Sequence, residues 1–203
     1  MGTKFARCWN TDNPLYVKYH DEEWGTPVHD DKTLFEFLVL EGFQAGLSWE
    51  LILKRREPLR KAFDNFNPEK IADYNDEDVK RLMNNPAIIR NRAKILATIN
   101  NARRFKEIRE DFGSFDAFIW QFVAGKPINH AFVDFSNFPS ESEESRAMSK
   151  KLKKRGFKFV GPTICYAFMQ AVGLVNDHLV KCFRYDQLRK LASGDTKTSQ
   201  RRL

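Results

Sequence analysis

Cysteine is scarce in this 203-residue chain, with Cys8, Cys165 and Cys182 the whole complement. An odd count this low excludes the disulfide framework of a small secreted domain and leaves metal ligation or buried thiols. Proline and glycine are modest, at eight and ten, which excludes collagen-like and Pro/Gly-dominated disordered chains. No apolar run approaches the ~20 residues of a membrane helix, and MGTKFARCWN lacks the apolar core of a secretory signal. The expectation is a cytoplasmic protein with no membrane partner. Alternating β-branched patterns are scarce too, whereas apolar residues at three- and four-residue spacing recur along most of the chain, so the expected fold class is all-α. The hydrophobic content of 42% is enough for a core in one or two lobes.

Charge is present in both signs but unevenly spread. The formal total is +7, yet residues 1–36 hold four basic and seven acidic side chains. The excess sits in three clusters: Lys54, Arg55, Arg56, Arg60 and Lys61; Arg90, Arg92, Lys94, Arg103, Arg104 and Lys106; and Lys150, Lys151, Lys153, Lys154, Arg155 and Lys158. One charge run is ordinarily a solvated helix face, but three in a small protein favour a polyanion partner. Residues 186–203 add five basic and two acidic side chains with little to bury, and read as a basic, flexible tail after a single two-lobed domain at 1–185.

Helix signals punctuate the chain. Asp30 or Asp31 can cap a long helix through KTLFEFLVLEGFQAG, and Asn67-Pro68 and Asn75-Asp76 can cap two short ones. Asn85-Pro86 reads as the start of a long amphipathic helix with a basic outer face. SFDAFIWQFV is a further helix ended by Gly125 and Pro127, residues 128–145 read as a loop, and ICYAFMQAVGL is apolar all round and therefore central.

Three constellations carry chemistry. His178 and Cys182 are four apart, a spacing that on a helix puts both on one face, and Cys8 and His20 supply a second pair, so a Cys2His2 zinc site forms if the chain ends meet. Cys165 reads as a core thiol. Glu41 shares its expected helix face with Leu34, Phe37 and Leu38, so its carboxylate is buried or lines a cavity and needs donors, a cationic ligand or a raised pKa. Trp9, Tyr16, Tyr19, Trp24 and Trp49 lie nearby in sequence; an acid among flat aromatic faces suits a flat cation. Finally GFKFVGPT at 156–163 reads as a tight hairpin whose following helix presents free N–H groups to an anion. No Lys-Ser/Thr follows Gly161, so it is not a nucleotide P-loop. Beside the third basic cluster it suits DNA phosphate, with Lys154, Arg155, Gly156, Gly161 and Thr163 as the contacts.

These residues together resemble the type I 3-methyladenine DNA glycosylases of the helix–hairpin–helix superfamily. The likeness runs through RCW at 7–9, DNPLYVKYHDEEWG at 12–25, LEGFQAGLSW at 40–49, IIRNRAKI at 88–95, KKRGFKFVGPTICYAFMQAVGLVNDH at 153–178, and Cys182. It implies a helix–hairpin–helix glycosylase fold and excision of 3-methyladenine from alkylated double-stranded DNA by a monomeric, monofunctional enzyme that leaves an abasic site without a lyase step. It also implies a structural zinc on Cys8, His20, His178 and Cys182 that joins the N- and C-terminal segments. Glu41 is the implied catalytic residue; Tyr19 and Trp49 bind the base with Trp9, Tyr16 and Trp24 around them; Leu47 falls where a side chain wedges into the base stack. Asp177 lies near the position of a catalytic Asp in related glycosylases and is the alternative to Glu41. Two departures stand out: Cys8 directly precedes Trp9 where relatives often have an intervening residue, and Phe43 stands where some carry Gln. The competing function is a zinc-stabilised DNA-binding protein without chemistry.

Overall fold

Asp30 accepts a hydrogen bond from the Thr33 amide and starts helix α2, Asp31–Gln44, the element around which the fold is built. The structure is a computed structural model, and it describes residues 6–136 and 138–193, with the side chains of 192 and 193 excepted. All ten residues from Leu34 to Phe43 are buried. A helix with no polar face must be surrounded on all sides, and α2 contacts α3 (Trp49–Ala62), α6 (Arg92–Phe112), α7 (Phe115–Trp120) and α9 (Pro162–Ala171). A short α1 (Pro14–Lys18) runs into a π-helical turn, Tyr19–Glu23, ahead of it. Helices α4 (Pro68–Ala72) and α5 (Asp76–Met83) are capped by Asn67 and Asn75, as the sequence indicates. Helix α8 (Glu143–Lys154) packs on α9, and α10 is Phe183–Ser193. The two strands described, β1 (Ile128–Asn129) and β2 (Val175–Asn176), pair in parallel over two residues. No described helix is long and apolar enough to cross a membrane.

Two sequence expectations change. The helix expected from Asn85-Pro86 begins instead at Arg92, because the Asn91 side chain caps it through the Lys94 amide, while Asn85 turns the chain by accepting from the Ala87 amide. The loop at 128–145 contains β1. Of the segment expected to be a tail from 186, residues up to Ser193 belong to α10 and Leu188 is buried, and its remaining positions lie outside the described residues.

Within the first basic cluster Arg56 and Arg60 are internal wiring, whereas Lys54 and Lys61 are exposed. Arg56, itself buried, donates from Nε to Glu36 and from Nη1 to Glu23, both at 2.6 Å, and Arg60 Nη2 reaches Glu36 at 2.7 Å. Arg56 also lies over the Phe37 ring at 4.9 Å. This network ties α3 to α2 and to the end of the π-helical turn. Replacing Arg56 by Ala leaves Glu23 without this partner and Glu36 with Arg60 alone, and is expected to destabilise the protein by about 1.5–3 kcal/mol, read as a lowered denaturation midpoint; an unchanged midpoint would show the network to be dispensable.

The candidate base pocket and metal centre

A cavity of about 310 Å³ opens between the N-terminal segment, α2, α3 and α9, within the size range of small-molecule sites. Glu41, Trp9, Tyr16, Tyr19, Trp24 and Trp49 all line it, so the acid and the five aromatics singled out in the sequence meet at one place. The rings touch in series: Trp9 to Tyr16 at 5.1 Å, Trp9 to Trp24 at 4.7 Å and Tyr19 to Trp49 at 5.2 Å between centroids. Trp9 takes its place in this wall although Cys8 adjoins it directly.

Glu41 is 3% exposed, and its Oε2 has no hydrogen-bond partner; nor does the buried Nε1 of Trp49. Unpaired buried polar atoms are costly and rare in folded proteins, and they mark a place where a ligand completes the bonding. Desolvation alone pushes the Glu41 carboxyl up to about 8. Burial, with the charge of Glu41 adding to it, raises the Tyr19 hydroxyl well above its usual range, so Tyr19 keeps its proton and is a donor.

Behind the aromatic wall, Cys8, His20, His178 and Cys182 bring their ligand atoms within 4.8 Å of one another, all four buried. Cys8 Sγ and Cys182 Sγ each lie 3.4 Å from His178 Nδ1, and Cys182 Sγ lies 3.5 Å from His20 Nε2. Bond lengths of about 2.3 Å to sulfur and about 2.0–2.1 Å to nitrogen at a tetrahedral angle give an S···N edge of roughly 3.5 Å, which these three distances match. The outer nitrogens are oriented as in metal sites: His20 Nδ1 meets Asp21 at 2.7 Å and His178 Nε2 meets the Trp24 carbonyl at 2.9 Å. The Leu179 amide donates to Cys8 Sγ at 3.3 Å. Cys182 is held low by the hydrogen bond from the Cys8 thiol, and the same bond together with burial pushes Cys8 up; one bound dication would let both ionise. His178 and Cys182 converge from a turn, not from the helix their spacing suggests. Trp24 meets His178 edge to face at 4.5 Å and Trp9 meets His20 in the same way at 5.0 Å, so the cluster that could hold a metal also props up the pocket wall.

Residues 9–185 match the methyladenine glycosylase family. The chain belongs to that family. DNA-3-methyladenine glycosylase 1 of Escherichia coli (strain K12) is 51% identical to it over 180 residues, 88% of this chain and 96% of the relative. A solved 3-methyladenine DNA glycosylase I from Staphylococcus aureus, studied for its recognition of 3-methyladenine, is 40% identical with a TM-score of 0.86 and covers 88% of this chain and 95% of its own. A variant of 3-methyladenine DNA glycosylase I in complex with 3-methyladenine is also 40% identical, with a TM-score of 0.84, covering 86% of this chain and 94% of its own.

In this methyladenine glycosylase family member the remaining predicted residues separate by environment. Asp177 does not line the cavity; it is buried and accepts from the Tyr166 hydroxyl, Gln170 Nε2 and His130 Nδ1 at 2.6–2.8 Å. Phe43 is buried against Phe63 and also lies outside the cavity lining. Leu47 is partly exposed on the turn between α2 and α3, beside Gly46 at φ +77°. That turn is anchored by Lys94, which is buried and donates to the carbonyls of Phe43 and Ala45, both at 2.6 Å, a cation on the C-terminal end of α2.

Lys94 therefore leaves the second basic cluster, and Arg103 leaves it as well, bound to the carbonyls of Ala72 and Tyr74. In the third cluster Arg155 pairs with Asp111 at 2.7 Å and stacks on Phe112 and Phe118, whereas Lys150, Lys151, Lys153, Lys154 and Lys158 are exposed. The hairpin is clamped to α6: Asn100 donates to the Gly156 carbonyl, and Asn101 both donates to the Lys158 carbonyl and accepts from its amide. Gly156 adopts φ +84°, and a Cβ at Gly161 would meet nothing within 4 Å, which leaves the start of α9, with Thr163 exposed in its first turn, open to close approach.

Gln44, Phe135, Phe138, Ala167 and Gln170 also line the cavity without having been singled out. The signals were a lone amide in the apolar α9 and three phenylalanines three apart, Phe132, Phe135 and Phe138, in a segment read as a loop.

Proposed function

We propose that the chain excises 3-methyladenine from alkylated double-stranded DNA, hydrolysing the N-glycosidic bond and leaving an abasic site. The observation that carries this reading is the unpaired, buried carboxylate of Glu41 in an aromatic cavity, set beside relatives named for this activity and a related structure that holds 3-methyladenine. Methylation at N3 makes the adenine of a nucleotide a cation and a good leaving group. Strong protonation of the leaving base is then unnecessary, and selection and orientation dominate. The lesion is flipped from the duplex, stacked on Trp49 within the wall of Trp9, Tyr16 and Trp24, and bonded by Glu41 and the Tyr19 hydroxyl. The cation offsets the desolvation that holds Glu41 protonated, so Glu41 binds the lesion as a carboxylate and faces positive charge as the bond breaks. No Lys is among the cavity-lining residues described, which supports a reaction without a Schiff base or lyase step.

The Cys2His2 cluster takes zinc, the ion whose tetrahedral Cys2His2 chemistry fits these donors, as a structural ion joining the chain ends. The α8–hairpin–α9 unit acts as a helix–hairpin–helix: Gly156 and Gly161 shape the hairpin, the open first turn of α9 at Gly161 and Thr163 meets a phosphate, and Lys154 supplies charge. Arg155 serves from its pair with Asp111 as a brace rather than a free contact, and Leu47 fills the gap left by the flipped base. The enzyme works as a cytoplasmic monomer.

Incubation with methylated DNA and identification of the released base tests this reading. Free 3-methyladenine with alkali-labile, otherwise intact strands is expected; binding without base release would leave a zinc-stabilised DNA-binding protein. Reversing Lys153 and Lys154 to Glu is expected to weaken binding to all sequences alike and to lower the salt-dependence slope by about two; an unchanged slope would remove this face from the interface.

A further inference from the structure

Gln170 lines the same cavity as Glu41, and its amide is held in one orientation. Its Nε2 donates to Asp177 Oδ2 at 2.8 Å. The Tyr166 hydroxyl donates to the same oxygen at 2.7 Å, and His130 Nδ1 meets Oδ1 at 2.6 Å. The hydrogen bond to Asp177 raises His130 above its usual range, in keeping with Nδ1 as a donor. A carboxylate ringed by donors only accepts, so Gln170 must present its NH2 to Asp177. The carbonyl Oε1 is the end that remains for the cavity, and no hydrogen bond to it is formed among the described residues.

We propose that Gln170 Oε1 is an acceptor for the exocyclic amine of the bound base and sets a preference for adenine over guanine lesions; this rests on the assignment of the cavity to 3-methyladenine. In a 3-methyladenine nucleotide that amine, on C6, carries the only N–H groups of the base. An acceptor fixed in the cavity has no other donor on the base to meet. Glu41 takes one N–H and Gln170 the other. In 3-methylguanine an oxygen stands on C6, and Gln170 Oε1 then faces a second acceptor. Asp177 prevents the amide from turning over to compensate, so both oxygens stay unpaired. Asp177 is thereby a positioning residue, acting through Gln170.

The test uses Gln170→Met and Gln170→Leu in the full-length, metal-loaded chain. Single-turnover release of 3-methyladenine and 3-methylguanine is measured from the same methylated DNA, with the melting temperature of each variant compared with that of the unaltered protein. Release of 3-methyladenine is expected to slow between about tenfold and a hundredfold, release of 3-methylguanine to stay level or rise, and the ratio of the two to fall accordingly. An unchanged ratio, or an equal loss of both bases in both variants, overturns the proposal. If the unaltered chain releases neither base, it is the assignment of the cavity that fails.

Discussion

Replacing Glu41 by Gln is expected to slow single-turnover release of 3-methyladenine by about a hundredfold or more, the scale of losing one preorganised charge at a reacting centre. The same change should make the protein more stable at alkaline pH. Burial holds the folded-state carboxyl at about 8, above its value of about 4.3 in an unfolded chain, so the folded protein binds this proton more tightly. The resulting stabilisation is complete below about pH 4.3 and is lost as the pH rises through 8. Above that, a wild-type Glu41 carries a penalty of order 4–5 kcal/mol, and a Gln carries none. The lesion, being cationic, prefers the ionised acid, so wild-type kcat/KM should rise towards pH 8 and flatten, and the variant should lose that dependence. Chemical denaturation at pH 6 and pH 9, with a pH–rate profile, checks both halves. A variant that keeps the wild-type rate would remove Glu41 from the chemistry.

Metal removal is expected to have the second large effect. A bound ion in a Cys2His2 site contributes of order 10 kcal/mol to folding, comparable with the whole stability of a typical domain. Stripping it with a chelator, or replacing Cys182 by Ala, should lower the melting temperature sharply and release one equivalent of zinc, measurable by atomic absorption. Trp9 packs on His20 and Trp24 on His178, so tryptophan fluorescence should change in step with metal loss. A fluorescence signal indifferent to the chelator would separate the cluster from the pocket wall.

Local signals were legible and compensated ones were not. Asn67, Asn75 and Asp30 cap their helices as their side chains dictate, because a cap is decided within three residues. The helix after Asn85 was misplaced because two equally good caps, Asn85 and Asn91, compete, and only packing chooses between them. Helix α3 runs through Pro58, and its inner face buries Trp49, Ile52 and Leu59. The metal quartet was suggested by residue type, yet its helical rationale failed: a turn delivers His178 and Cys182 to one point as well as a helix does. Net charge misled most. Arg56, Lys94 and Arg103 count towards a basic surface in the sequence but are spent on carboxylates and carbonyls inside the fold, and nothing in their spacing reveals partners 20 to 51 residues away. Phe135 and Phe138, on a segment with no periodic structure, could be placed over the cavity only by the path of the chain.

The contact between Cys8 and His178 spans 170 positions, and this sets an order of events during synthesis. One wall of the pocket lies within residues 9–24, but its clasp is not translated until residues 178 and 182 are made. A nascent or truncated chain can form helices and even display its cationic hairpin while lacking a closed receptacle for a base. Competence to act on DNA is therefore tied to synthesis of the chain through residue 182, and a fragment ending before that residue should fail as an enzyme however well its interior packs.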